Sequence, residues 1–172
     1  MRLGAIVGVA LALLSAPAAA AESPECVVEG LSDQRKAEFF TAYRADVRPS
    51  EALQAALRSA MQACIDTHGW NEAVQLSARQ YSTARILYDQ LILTSPFSQS
   101  DLDRLSTAFD TVDDATARRW FDQGIQEADN ERLAAVLAQS GVAVDERNGP
   151  FVGEFFAARY MAITTRAAFL AL

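Results

Sequence analysis

From Ser32 onward, apolar residues recur at the three- and four-residue spacing of an α-helix, and no alternating pattern typical of a β-strand persists. This periodicity limits the possible folds more than any other feature of the chain. It predicts an all-α fold, a single-domain bundle of six or seven helices with a hydrophobic C-terminal helix at its centre. A composition with 51% hydrophobic and 22% charged residues suits such a globular domain.

Capping residues divide this periodic stretch into helices. The predicted first residues, from the first helix to the sixth, are Ser32, Ser50, Asn71, Ser100, Asp113 or Asp114, and Asp129 or Asn130. Gly69 is expected to end the second helix in a left-handed conformation. The fifth and sixth helices could instead form one helix bent around Gly124. Side chains placed on the inner faces of the first and fifth helices include Tyr43, Val47, Trp120, Phe121 and Ile125.

Residues 1–21 have the pattern of a cleaved secretory signal peptide. Arg2 precedes an apolar run from Leu3 to Leu14, and small residues follow up to Ala21. We expect cleavage after Ala21, which leaves residues 22–172 as a single helical domain. The apolar run would rise only about 18 Å as a helix, whereas a bilayer core is about 30 Å thick, so a retained membrane anchor is not expected. No stable membrane span is expected after cleavage either, because Glu154, Arg159 and Arg166 would each be costly in lipid within the last apolar segment.

The chain contains two cysteines, Cys26 and Cys64. An oxidising compartment lets such a pair persist as a disulfide, and only one intramolecular pairing exists. Because a short link makes the first two predicted helices antiparallel neighbours, the start of the first should approach the end of the second. We therefore predict a Cys26–Cys64 disulfide and a periplasmic or secreted location.

The last segment, residues 151–172, has almost no polar face, which is typical of a helix that other helices surround. One side carries bulky apolar residues. The opposite side carries small residues and is expected to let a neighbouring helix pack closely; these residues are Gly153, Ala157, Thr164, Ala168 and Ala171.

Arg159 and Arg166 project from the bulky apolar side of this last helix. A buried arginine needs a carboxylate or an anionic ligand, because an unpaired buried charge costs several kcal/mol. One interpretation is a buried ion pair with an acidic residue such as Asp89 or Asp110, or guanidinium groups that reach the surface. The other is an anion-binding site for a carboxylate or phosphate group, which the planar guanidinium matches.

Acidic residues dominate the charge of the chain, whose formal net charge is -7. This balance argues against nucleic acid as a partner, because phosphate neutralisation needs a basic surface. Carboxylates concentrate between Asp101 and Glu131, but their spacing does not match a calcium-binding loop. Helix caps and a solvent-exposed face account for most of them, so we predict no metal site and no cofactor.

The residues available for catalysis are few. His68 is the single histidine, and no Gly-x-Ser-x-Gly motif presents a serine nucleophile. A carboxylate with a raised pKa in an apolar cleft could still hydrolyse cell-wall glycans. Glu154, which lies among phenylalanines, is the candidate carboxylate for that role, although we assign no catalytic residue.

These observations together favour binding over catalysis. We expect an exported, periplasmic bacterial protein that acts as a binding or interaction module of the cell envelope. Its partner would be a protein or a small anionic ligand of the envelope. The alternatives are a carboxylate-dependent cell-wall glycan hydrolase and a purely structural envelope component.

Overall fold

The computed structural model describes residues 23–172, so the predicted signal peptide lies outside the described part of the chain. Within that part, every regular element is helical and no β-strand occurs. Eight α-helices and one 3₁₀ turn, Glu127–Asp129, follow one another between residues 23 and 172. The α-helices are α1 Cys26–Glu29, α2 Asp33–Arg44, α3 Glu51–His68, α4 Glu72–Leu93, α5 Gln99–Phe109, α6 Asp114–Gln123, α7 Asn130–Ser140 and α8 Gly149–Leu170. The predicted all-α bundle is confirmed, and the four-residue α1 is an added element.

Side-chain caps fix where most of the helices begin. Ser32, Ser50 and Asn71 each accept a hydrogen bond from the backbone N–H three residues later, at 3.4, 3.2 and 3.0 Å. These contacts confirm the predicted starts of α2, α3 and α4. The prediction for α5 is wrong by two residues, because Ser98 rather than Ser100 caps it. The Asp101 carboxylate in turn accepts a hydrogen bond from the Ser98 backbone N–H, and this reciprocal capping box explains the earlier start of α5.

α8 lies along α4 and joins the two halves of the core. Near its start, Val152, Phe155 and Phe156 belong to one apolar cluster with side chains of α5, α6 and α7. Near its end, Phe169 belongs to a second cluster with side chains of α1, α3 and α4. Because residues of α8 belong to both clusters, this helix connects the two ends of the domain.

The side of α8 that carries small residues does not pack as predicted. Gly153, Ala168 and Ala171 are exposed to solvent, and Ala157 and Thr164 are half-buried. The principal partner of α8 is α4, which covers the opposite, bulky side. Small apolar side chains add little area to the surface, so leaving the small-residue side open costs little free energy. The bulky side is also covered only in part, since Ile163 and Leu170 are 50% and 52% exposed, contrary to the expectation that other helices surround α8.

Four side chains predicted to face inward are instead exposed: Tyr43, Val47, Phe121 and Ile125. Chain direction explains two of them. α2 ends at Arg44, so Val47 lies in the following loop rather than on the predicted helical face. α6 ends at Gln123, and Gly124 adopts a positive φ of 74°, which turns the chain before Ile125. The predicted fifth and sixth helices are therefore separate helices, α6 and α7.

The N-terminal segment is fastened to the bundle by a covalent bond and by a polar contact. The predicted disulfide between Cys26 and Cys64 is confirmed, with their Cα atoms 6.0 Å apart. One residue earlier, the Glu25 carboxylate accepts a hydrogen bond from the hydroxyl of Tyr81 on α4 at 3.0 Å. Together these contacts hold α1 against both α3 and α4.

Candidate functional site

An open groove lies between α3 and α4, and we call it the α3–α4 groove. The two helices are consecutive, joined at Gly69, whose positive φ of 65° reverses the chain. They nevertheless make few direct backbone contacts, because α3 packs against α1 and α2, whereas α4 packs mainly against α8. The short helix α1, held by its disulfide, contacts both α3 and α4 and leaves a space of about 650 Å³ beside it.

Apolar side chains form the deep part of the α3–α4 groove. Val27 of α1, Met61 of α3 and Ile86 of α4 are buried, with 2%, 8% and 1% of their surface exposed. Leu57, Ile65 and Phe39 extend this apolar lining along the groove. The volume falls within the range of about 300–1,000 Å³ that is usual for small-molecule sites, and the apolar lining is typical of them.

Three of the six polar side chains that line the groove already have hydrogen-bond partners nearby in the sequence. Gln62 donates to Asp66 at 2.7 Å, Gln75 donates to the backbone oxygen of Trp70 at 2.9 Å, and Ser82 donates to the oxygen of Ala78 at 2.6 Å. These hydrogen bonds satisfy the polar groups of the three side chains without filling the groove. A ligand in the groove would therefore meet a largely apolar wall.

Two arginines mark the mouth of the groove, Arg58 on α3 and Arg79 on α4. Both are exposed, and neither forms an ion pair with a carboxylate of residues 23–172. No aspartate or glutamate among residues 23–172 lines the groove. In a chain with a net charge of -7, this mouth is a local concentration of positive charge.

The structure places Arg159 and Arg166 away from this groove and beside carboxylates. Arg159, whose side chain is only 16% exposed, lies 2.7 Å from Asp110, one of the two acids named as possible partners. The other, Asp89, pairs with Arg85 on its own helix. The two arginines therefore do not share a pocket.

Arg166 has a different partner, since its guanidinium donates to Glu25 at 3.3 Å. Partial burial alone would raise the pKa of Glu25. A backbone N–H, the Tyr81 hydroxyl and Arg166 outweigh that effect and lower this pKa below its usual value of 4.5. Burial and the neighbouring Glu25 charge raise the pKa of Tyr81. Glu25 is thus held in its charged form where α1, α4 and α8 meet.

Replacing Glu25 with glutamine tests this contact through pH. A lowered folded-state pKa contributes stability above about pH 4.5, and the contribution disappears as pH falls through the folded-state value. We expect E25Q to lower the free energy of unfolding by about 1 kcal/mol near neutral pH and to have almost no effect near pH 2. Urea unfolding of both proteins at the two pH values measures the difference. E29Q, at an exposed carboxylate, is the control, and an equal loss at both pH values in E25Q would contradict the assignment.

Glu154, the candidate catalytic carboxylate, lies on α8 and is 44% exposed. Its carboxylate pairs with Arg44 of α2 at 3.1 Å. A catalytic acid needs an apolar site that favours its neutral form. The immediate neighbour of Glu154 is instead a guanidinium, which favours the charged carboxylate. The environment of Glu154 is therefore not the one that the hydrolase alternative requires.

The carboxylates between Asp101 and Glu131 serve mainly as caps and ion-pair partners. Asp113 caps α6 and pairs with Arg132 at 3.0 Å. Asp101 belongs to the capping box of α5 and contacts Arg104. The buried Asp129 contacts Arg119, and the Trp120 indole, that guanidinium and a backbone N–H lower the pKa of Asp129. Within residues 23–172, no three potential ligands from histidine, cysteine, aspartate and glutamate converge on a metal position.

Sequence reasoning missed Arg58 and Arg79. A usable signal exists, because Arg58 and Gln62 lie one turn apart beside the apolar stripe of α3, and Arg79 and Thr83 do the same on α4. Two such matching polar edges on consecutive helices suggest the rim of a shared cleft. The pattern does not show that the helices stand apart, since that depends on α1.

Comparison of the chain with protein-family models, with characterised proteins and with solved structures gives no match in any of the three. Among the helices of residues 23–172, none combines the length and the apolar character needed to cross a bilayer. The functional argument therefore rests on the geometry of the groove.

Proposed function

We propose that this chain is an exported binding protein of the bacterial cell envelope, and that it takes up a small apolar ligand in the α3–α4 groove. The observation that carries the proposal is the open apolar space of about 650 Å³ between two consecutive helices. Its volume lies in the usual range for small-molecule sites, and its deepest side chains are apolar.

Two features support a location outside the cytoplasm. The Cys26–Cys64 disulfide indicates a compartment that is not reducing. Residues 1–21 have the charge, apolar run and small-residue end of a signal peptide. The disulfide also has a role in the proposed site, because it holds the helix that forms the floor of the groove.

The size of the groove favours a small molecule over a protein partner. Twelve side chains line it, whereas about 20–30 residues contribute to each side of a standard protein–protein interface. Its deepest residues are almost fully buried, so a protein surface would have to insert a narrow projection to reach them. A compact apolar molecule meets the same surface without that constraint.

Fluorescence titration with N-phenylnaphthylamine tests the proposal, because this dye is apolar, uncharged and brighter in an apolar site. We expect saturable binding to the wild-type protein. Thr83 is half-buried and lines the groove on α4, so T83W should fill part of the space and weaken binding by roughly tenfold or more.

The matched control is T116W, which places the same indole at a half-buried threonine of α6 outside the groove. It should bind the dye as the wild-type protein does. Circular dichroism confirms that both variants remain helical. Failure of the wild-type protein to bind, or equal binding by both variants, would contradict the proposed function.

A further inference from the structure

We infer that the ligand of the α3–α4 groove is a single-chain amphiphile with an oxyanion head, of the kind that a fatty acid represents. This inference rests on the proposed function and adds the chemical class of the ligand. It follows from three properties of the groove: the charges at its mouth, their position, and the change from polar mouth to apolar floor.

The charges at the mouth are all of one sign. Among residues 23–172, four arginines form no ion pair, namely Arg48, Arg58, Arg79 and Arg147. Two of these four line the groove, one from each wall, and no carboxylate of the described part of the chain lines it with them. Elsewhere in this acidic chain, most arginines have a carboxylate beside them. The groove therefore offers an anion two guanidinium groups without a competing acceptor.

The two arginines lie at comparable heights along the groove. Arg58 precedes the end of α3 at His68 by ten residues, and Arg79 follows the start of α4 at Glu72 by seven. At 1.5 Å per residue, they lie about 15 Å and about 10 Å from the link between the helices. The two positions therefore differ by only about 5 Å along the length of the groove.

The groove becomes apolar with depth. Both arginines are exposed at the mouth, whereas Val27, Met61 and Ile86 form a buried floor. An inorganic anion would bind only at the mouth and would make no contact with the apolar lining. A molecule that combines an apolar chain with an anionic end satisfies both regions, since burying the chain is favourable and the head keeps contact with solvent and with the guanidinium groups.

Competition against bound N-phenylnaphthylamine tests the head group. Dodecanoate and dodecyltrimethylammonium share one apolar chain and carry opposite charges, and both are used below their micelle-forming concentrations. We expect dodecanoate to displace the dye from the wild-type protein at a concentration roughly tenfold lower than its cationic counterpart. Dodecyl phosphate is a third competitor, which distinguishes a carboxylate head from a phosphate head.

The double variant R58Q/R79Q should lose this preference. Both amphiphiles should then displace the dye from it at similar concentrations. R147Q is the matched control, because it removes an exposed, unpaired arginine in the loop before α8. It should keep the preference of the wild-type protein. All variants should still bind the uncharged dye, so a loss of folding would be recognised at once.

The outcomes separate the two proposals. Dye binding with no difference between dodecanoate and the cationic amphiphile would overturn the oxyanion inference and leave the proposed function standing. No dye binding would overturn both. If R58Q/R79Q still preferred dodecanoate to the cationic amphiphile, the preference would come from other charges, and the inference would be contradicted. A further result would also contradict the inference: the protein co-sediments with phosphatidylglycerol vesicles through Arg58 and Arg79 but does not bind dodecanoate. That result would indicate that the two arginines bind a membrane surface.

Discussion

Replacing both cysteines with serine, C26S/C64S, lowers the free energy of unfolding by about 4 kcal/mol. The disulfide joins residues 38 positions apart, and a cross-link of that span removes much of the conformational entropy of the unfolded chain. Such a loss is a large fraction of the roughly 5–15 kcal/mol that typical domains possess. Urea unfolding, followed by circular dichroism, measures the difference.

Reduction of the wild-type protein supplies the control for this prediction. With dithiothreitol present, its unfolding curve should shift to that of the double variant, which itself should not respond to the reductant. The double variant should also bind N-phenylnaphthylamine less tightly, because Val27 follows Cys26 directly and forms the floor of the groove. Equal stability of the oxidised wild-type protein and the double variant, or two alkylatable thiols in the native wild-type protein, would contradict the assignment.

Truncating Phe155 to alanine should cost about 3–5 kcal/mol of unfolding free energy. Phe155 is 1% exposed, and its ring stacks at 5.5 Å on Tyr88 of α4. The rings of Phe151 and Phe156 lie within 6.2 Å of it. Removing it leaves a cavity at the contact between α4 and α8, which neighbouring rings cannot fill without moving.

The control for F155A is I163A, two turns further along the same helix. Ile163 is 50% exposed, so its truncation should change the stability by less than about 0.5 kcal/mol. Urea unfolding of the two variants compares a buried position of α8 with an exposed one. Equal losses would show that Ile163 is packed as tightly as Phe155, contrary to the packing described above.

The elements that sequence reasoning predicted well are those determined by local chemistry. Ser32, Ser50 and Asn71 start helices because their own side chains accept hydrogen bonds from the backbone three residues on. The disulfide was predictable because two cysteines allow only one pairing. α5 shows the limit of this reasoning, since both Ser98 and Ser100 are suitable caps, and only the reciprocal contact with Asp101 distinguishes them.

The features that escaped prediction depend on how distant elements are placed. Asp110 could be named as a partner of Arg159 because it lies on a neighbouring predicted helix. Glu25 could not be named for Arg166, since its position follows from the disulfide that holds the next residue. The exposed small-residue side of α8 illustrates the same point: hydropathy shows that a face tolerates burial, but not whether a helix is present to cover it.

The groove itself is the clearest case of this limit. Periodicity predicts α3 and α4 and their short link, from which direct packing of the two helices would be the simplest expectation. Their separation arises because the four-residue α1, with Val27 on its inner side, contacts both of them. A helix this short leaves almost no periodic signal in the sequence.

The most direct test of the central claim is nuclear magnetic resonance mapping of N-phenylnaphthylamine on the wild-type protein. Titration of the isotope-labelled protein should shift the backbone amide signals of Val27, of Leu57 to Ile65 and of Gln75 to Ile86, which surround the groove. Signals of α5 to α7 should remain unchanged. Shifts confined to the exposed side of α8 around Ile163, or no saturable shifts at all, would contradict a binding site between α3 and α4.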